Sequence, residues 1–177
     1  MPNNRDYIIR TARPDEFKRI GHLMIQVYSQ LKGFPNKSEQ PDYYKMLANI
    51  GDMTKHSAVE LLVAISPDNK LDGSVVYFDD MALYGSGGSA TEEKNSAGFR
   101  LLAVEPRARG KGVAKLLTLK CIEKAQQQGR DQVIIHTTNA MKIAWSMYEK
   151  MGFVRSDDLD FLQGSLPVYG FRLKLNE

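Results

Sequence analysis

Between Glu105 and Gly112 the chain passes from a strand into a helix through a proline, two glycines and the cations Arg107, Arg109 and Lys111, and few local conformations satisfy all of these at once. Ala97 to Val104 reads as the strand. Gly112 to Gln128 reads as the helix, with Ala114, Leu117, Cys121 and Ala125 on one face and Gly129 placed to end it. At such a junction the first amides of the helix lack intrahelical partners and the helix dipole adds partial positive charge, which favours an anion by about 0.3–1 kcal/mol. Gly110 and Gly112 carry no Cβ to hold phosphate oxygens away from those amides, and Lys115 extends the local positive charge.

The rest of the chain supplies the elements this junction needs around it. Tyr7 to Ala12 alternates like a strand, and Phe17, Ile20, Met24, Val27, Tyr28 and Leu31 recur at helical spacing after Pro14. A second helix is expected from Glu39 to about Asn49, with Ser38 as its cap. Ala58 to Ile65 and Ser74 to Phe78 read as a hairpin around a turn rich in Pro, Asn, Asp and Gly. Asp79 to Ser96, with Gly85-Ser86-Gly87-Gly88-Ser89, has little apolar pattern and is either a lid or acceptor-side loop or a disordered excursion. Gln132 to Thr137 is a buried strand. Ala140, Ile143, Ala144, Met147, Tyr148 and Met151 predict a helix over 140–151, ended by Gly152, and two strands close the chain near Phe153 to Arg155 and Val168 to Leu175. The order predicts one domain over 1–177, a three-layer α/β/α fold in which the strands either side of the third long helix run parallel.

At 177 residues, roughly 70% of the unfolded surface can be buried without staples. The longest strongly apolar stretch, Leu61 to Ile65, is far too short to span a bilayer, so no membrane partner is expected. A net charge of +3 is too small to announce nucleic-acid binding, and the crowding of cations near Arg107 suggests a local anion instead. The start Met1 to Asp6 lacks the apolar core of a leader, and the lone Cys121 forms neither an internal disulfide nor a cysteine metal cluster, so a cytoplasmic location is expected. His22, His56 and His136 read as structural, and their spacing suggests no metal site.

Three readings of the basic turn compete. A Walker loop needs Ser or Thr after Gly110-Lys111, where Gly112 stands. A dinucleotide fingerprint needs Gly or Ala where Lys115 stands and an acidic residue where the chain has Ile135-His136-Thr137. An ordinary basic turn with ordinary glycines suffices if the segment stands alone. It does not: Arg107-x-x-Gly110-x-Gly112, after Val104-x-Pro106 and before Ala114-x-x-Leu117, resembles the acetyl-coenzyme A signature of the GNAT superfamily. Downstream, Ala144-x-x-Met147-Tyr148-Glu149-Lys150-Met151-Gly152-Phe153 resembles the superfamily's second hallmark. Together the two motifs cover roughly residues 97–154.

The resemblance implies a mixed, mostly antiparallel sheet with a parallel strand pair at the cofactor site, and direct transfer of an acetyl group from acetyl-CoA to an amine of a small molecule or peptide. It implies that amides of Arg109, Gly110, Lys111, Gly112 and Ala114, with Arg107 and Val113 in the same turn, hold the pyrophosphate. It also implies that the backbone of Leu102, Ala103 and Val104 pairs with the pantetheine arm and offers an amide to the thioester oxygen. Tyr148 matches the tyrosine that protonates the departing thiolate, although its helical spacing also suits a core residue. Many relatives carry an asparagine where Met141 stands, so Thr138 and Asn139 are assigned to the pantetheine, or else to capping the helix. Glu60, Asp79, Asp80, Tyr84 and Glu105 are candidates for the general base. A homodimer is the assembly the resemblance implies, and a coenzyme A-binding sensor without turnover is the alternative function.

Overall fold

A computed structural model describes residues 6–175; the first five residues, read above for a leader, lie outside that range. One sheet runs in the order β1-β2-β3-β4-β5-β8-β6, with strands β1 (Ile8–Thr11), β2 (Val59–Ile65), β3 (Leu71–Phe78), β4 (Ser96–Val104), β5 (Gln132–Thr137), β6 (Val154–Arg155) and β8 (Leu166–Lys174). The short strand β7 (Phe161–Gln163), which the sequence pattern does not reveal, pairs with the start of β8. Among the described residues all pairings are antiparallel except β4 with β5.

Strand alternation divides the interior into two cores. Leu61, Val63, Val76 and Phe78 point to the face covered by α1 (Phe17–Ser29) and α2 (Pro41–Ala48), where Ile20, Leu23, Met24 and Leu47 are buried. Leu62, Ala64, Val75 and Tyr77 point to the other face, covered by α3 (Val113–Gln127) and α4 (Lys142–Lys150), against Leu117, Cys121, Tyr148 and Phe153. The helices therefore form the outer layers of a three-layer fold, and Leu61–Ile65 of β2 and Val75–Phe78 of β3 read as continuous apolar runs because both their faces are covered. Among the described residues no helix is long and apolar enough to cross a membrane.

Several local expectations change. Ser38 does not cap α2, which starts at Pro41 after Gln40; the Ser38 hydroxyl donates instead to Asn36 Oδ1 at 2.7 Å. The fourth helix starts at Lys142, and Ile143, expected on its apolar stripe, is 91% exposed. Trp145 packs inward in its place, edge-on to Tyr169 and Phe171. The segment from Asp79 to Ser96 is folded rather than a free excursion: Met81, Tyr84 and Ala90 are buried, and Tyr84 packs edge-on to Phe78.

The start of α1 rests on a charged clasp. Arg10 donates to both oxygens of Glu16 at 2.9 Å, and Glu16 also accepts the Arg13 amide at 2.8 Å. These donors hold the Glu16 carboxyl at about 2, below its ordinary 4.5. A depressed carboxyl stabilises the fold fully above pH 4.5 and loses that contribution as pH falls toward 2. Glu16→Gln is expected to cost roughly 1–3 kcal/mol at neutral pH. Urea unfolding at neutral pH and again in acid, near the folded-state pKa of about 2, checks this: the gap between variant and parent should shrink in acid.

Candidate active site

The parallel ladder between β4 and β5 covers only Ser96, Ala97 and Gly98, opposite Gln132, Val133 and Ile134. Beyond Gly98 the strands part, while β4 stays paired with β3 and β5 stays paired with β8. Residues from both faces of the sheet line the cavity that opens there, Tyr28, Tyr43 and Tyr84 from one side and Ala144 and Tyr148 from the other. The gap is thus a passage through the sheet, and it encloses about 100 Å³.

A bulge in β4 shapes one wall. Arg100 pairs with Val76 and Ala103 with Ser74, so Leu101 and Leu102 together stand opposite Val75. Leu101 adopts φ 62°, a left-handed conformation that costs a branched residue energy. The extra residue shifts the alternation: Phe99 faces the α3 side, while Arg100 and Leu101 both face the α1 side. Leu102 lines the passage, and its carbonyl accepts the Tyr28 hydroxyl at 3.0 Å. Ala103 is buried and Val104 half-buried on the continuing strand.

At the start of α3 the amides divide into two groups. Arg109 N donates to Pro106 O at 3.3 Å and Lys111 N to Ala108 O at 3.4 Å, so these two of the five expected phosphate donors serve the turn. The amides of Gly110, Gly112, Val113, Ala114 and Lys115 have no acceptor among the described residues, and the first helical bond runs from Leu116 to Gly112. Gly110 and Gly112 both sit at φ 81°, which glycine adopts without strain, and no atom lies within 4 Å of where a Gly110 Cβ would be. The guanidinium of Arg107, a residue assigned above to the cofactor turn, is held by Asp72 at 2.9 and 3.2 Å and so fixes the turn to β3. Tyr7 donates to the same carboxylate at 2.7 Å, and Glu105 pairs with Arg19.

Tyr148 is 5% exposed, packed edge-on to Phe99 and Phe153. The hydroxyls of the other buried tyrosines are occupied: Tyr7 by Asp72, Tyr28 by Leu102, Tyr44 by Pro35, Tyr77 by Gln128 and Tyr84 by His136. That of Tyr148 has no partner among the described residues; the residue lines the passage, and burial pushes its phenol well above the ordinary value, keeping the proton on. Thr137 Oγ1 is also buried without a partner among the described residues, beside Thr138. Thr138 accepts the Ala140 amide at 3.2 Å ahead of α4, whose N-cap is Met141; Asn139 is exposed and does not line the passage.

Of the candidate bases only Tyr84 reaches the passage. Glu60 pairs with Lys124, Asp79 with Arg130 and Glu105 with Arg19, while Asp80 caps the Ala82 amide. His136, read from the sequence as structural, lines the passage beside Tyr84. Its Nε2–H donates to the Leu159 carbonyl at 2.8 Å, which leaves Nδ1 to accept the Tyr84 hydroxyl at 3.0 Å. Burial lowers the imidazole from 6.5, favouring the neutral ring. No sequence spacing links positions 84 and 136; the sheet and the folded loop bring them together.

Residues 22–153 match the Acetyltransferase (GNAT) family. The N-alpha-acetyltransferase 30 of Saccharomyces cerevisiae is 40% identical over 55 residues, which is 31% of this chain and 31% of that protein. The N-acetylaspartate synthetase of Homo sapiens is 38% identical over 64 residues, 36% of this chain and 21% of that one. The chain thus spans less than a third of the length of these curated relatives. Among solved structures, a PaiA N-acetyltransferase from Thermoplasma acidophilum in complex with coenzyme A has TM-score 0.75 at 15% identity, covering 96% of this chain and 99% of that one. A GNAT-family acetyltransferase from Staphylococcus aureus has TM-score 0.73 at 16% identity, with the same coverage. At such identities the likeness shows the fold.

A buried hydroxyl without a partner costs stability unless something else uses it. Thr137→Val is expected to raise the stability of the ligand-free protein by about 1 kcal/mol and to weaken whatever occupies the passage. Thermal unfolding with and without coenzyme A reads both effects.

Proposed function

The chain belongs to the GNAT acetyltransferase family, and from that premise we propose that it is a single-domain N-acetyltransferase that moves an acetyl group from acetyl-CoA to an amine of a small molecule or peptide. The observation that carries this reading is the unpartnered, proton-bearing Tyr148 hydroxyl in a passage that opens where β4 leaves β5, on the same strand-turn-helix unit that bares the amides at the start of α3.

The residues present suit the cosubstrate. Gly110 and Gly112 to Lys115 offer unpaired amides to a diphosphate, with Arg109 and Lys111 supplying charge from exposed side chains. The edge of β4 from Phe99 to Val104, released from β5, offers backbone groups to an extended amide chain, with Leu102, Ala103 and Val104 toward its end. Thr137 and Thr138 complete that side, the first with a hydroxyl still seeking a partner. When bound, acetyl-CoA supplies an activated acyl group whose sulfur leaves with a negative charge.

Tyr148 Oη holds the proton for that leaving sulfur. On the opposite side of the sheet the acceptor amine gives its proton to the Tyr84 oxygen as the Tyr84 proton passes to Nδ1 of neutral His136. The buried aromatic walls limit water, which keeps the acyl group for the amine. Cys121 takes no part: it is buried, and its thiol is pushed up by desolvation. A free thiol of this kind suits the reducing cytoplasm in which we place the protein.

Tyr148→Phe is expected to lower kcat about 10²- to 10⁴-fold while coenzyme A still stabilises the fold. Thiol release from acetyl-CoA with an amine panel measures the first quantity and thermal unfolding the second. Absence of release for the parent protein across the panel, with stabilisation intact, would favour the sensor reading. The kcat/KM profile should lose activity as pH falls through a value below 6.5, where the lowered His136 imidazole gains its proton. His136→Gln should remove that limb.

A further inference from the structure

Among the described residues the acceptor side of the passage contains one fixed charge, and it is positive. Arg100 is held on this side by the register of the Leu101 bulge, and its guanidinium donates to the Tyr84 carbonyl at 2.9 Å while lying 5.7 Å from the Tyr84 ring centre. Gly85 keeps this approach open: at φ 76° it needs no Cβ, and one placed there would come within 3.1 Å of Arg100 Nη1. Arg100 forms no ion pair among the described residues, and Asp160, whose charge is also felt by His136, is already bound by both arms of Arg155 at 2.8 Å and by the Gly170 amide. The Arg100 charge is felt by Tyr28, Tyr43 and His136, none of which carries compensating negative charge at neutral pH. A half-buried guanidinium with most of its donors free is costly unless an anion completes it.

We propose that Arg100 is a specificity-determining residue that binds an oxyanion on the acceptor, so that the substrate is a small amine carrying its own carboxylate or phosphate. This rests on the acetyl-transfer reading for what happens to the amine, but the binding claim is separate from it. The fork of the guanidinium fits two oxygens at once, and Gln163, which also lines the passage, offers a further polar contact. A diamine or polyamine would instead bring positive charge against Arg100, with no carboxylate among the described residues lining the passage to receive it.

Calorimetry on the protein saturated with coenzyme A, using amino acids, the matching amino acid amides, phosphoethanolamine and a diamine, tests the inference without turnover. The oxyanion-bearing amines should bind on the order of 10- to 100-fold more tightly than the amides or the diamine, and Arg100→Gln should erase that difference. Arg100→Lys, which keeps charge without the fork, should retain part of it. The comparison of carboxylate with phosphate decides which oxyanion is preferred. Equal binding of acid and amide, preference for the diamine, an unchanged preference in Arg100→Gln, or no binding by any oxyanion-bearing amine would overturn the proposal. Thiol release measured with acetyl-CoA separates the two readings: binding without release sinks the catalytic one alone, and release with amides or diamines but no acid preference sinks this one alone.

Discussion

The early parting of β4 from β5 makes the site possible. Three paired positions join the strands, after which each keeps an antiparallel partner on its other edge. Those ladders anchor each strand on its outer edge while the inner edges beyond Gly98 stay unpaired with each other. From this feature follow the passage through the sheet, the unclaimed edge of β4 and the opening that faces Tyr148.

The bulge at Leu101 adds direction to that opening. Counted back from Ala103, which faces the α1 side, strict alternation would send Arg100 to the opposite face. The extra residue lets Arg100 and Leu101 share the α1 side, at the expense of a strained backbone. The wall opposite is built from parts that lack a strong sequence signal. Gly87 and Gly88 pack so closely on Phe161 that a Cβ at Gly87 would lie 2.8 Å from its ring, and the Ser89 hydroxyl donates to the Asp158 carbonyl at 2.9 Å. The glycine-rich loop and β7 therefore support each other.

Charge is divided between the two sides of the sheet. At α3, free amides and exposed cations gather where Asp72, Tyr7 and Arg107 tie the turn to β3 and Arg19 holds Glu105. On the α1 side, the fixed charge of Arg100 sits among tyrosines and a neutral imidazole. Two polar groups with no partner among the described residues, Thr137 Oγ1 and the Tyr148 hydroxyl, belong to residues that line the passage between them, as expected where structure is held ready for a ligand.

Element order, the strand-turn-helix around Gly110 and the helix bearing Tyr148 were legible in the chain before any fold was known, because periodicity, proline, glycine and capping act over a few residues. The same patterns could not show that the Arg107 guanidinium turns to Asp72, and they placed Ile143 on an apolar stripe although it faces solvent, since a side chain's partner is not a property of its own segment. Where β4 leaves β5, the bulge at Leu101, the meeting of Tyr84 with His136 and the position of Arg100 without a carboxylate partner among the described residues emerged from the folded molecule alone. Each of those depends on residues far apart in the chain, and their meeting is set by strand register and packing, which no local pattern encodes.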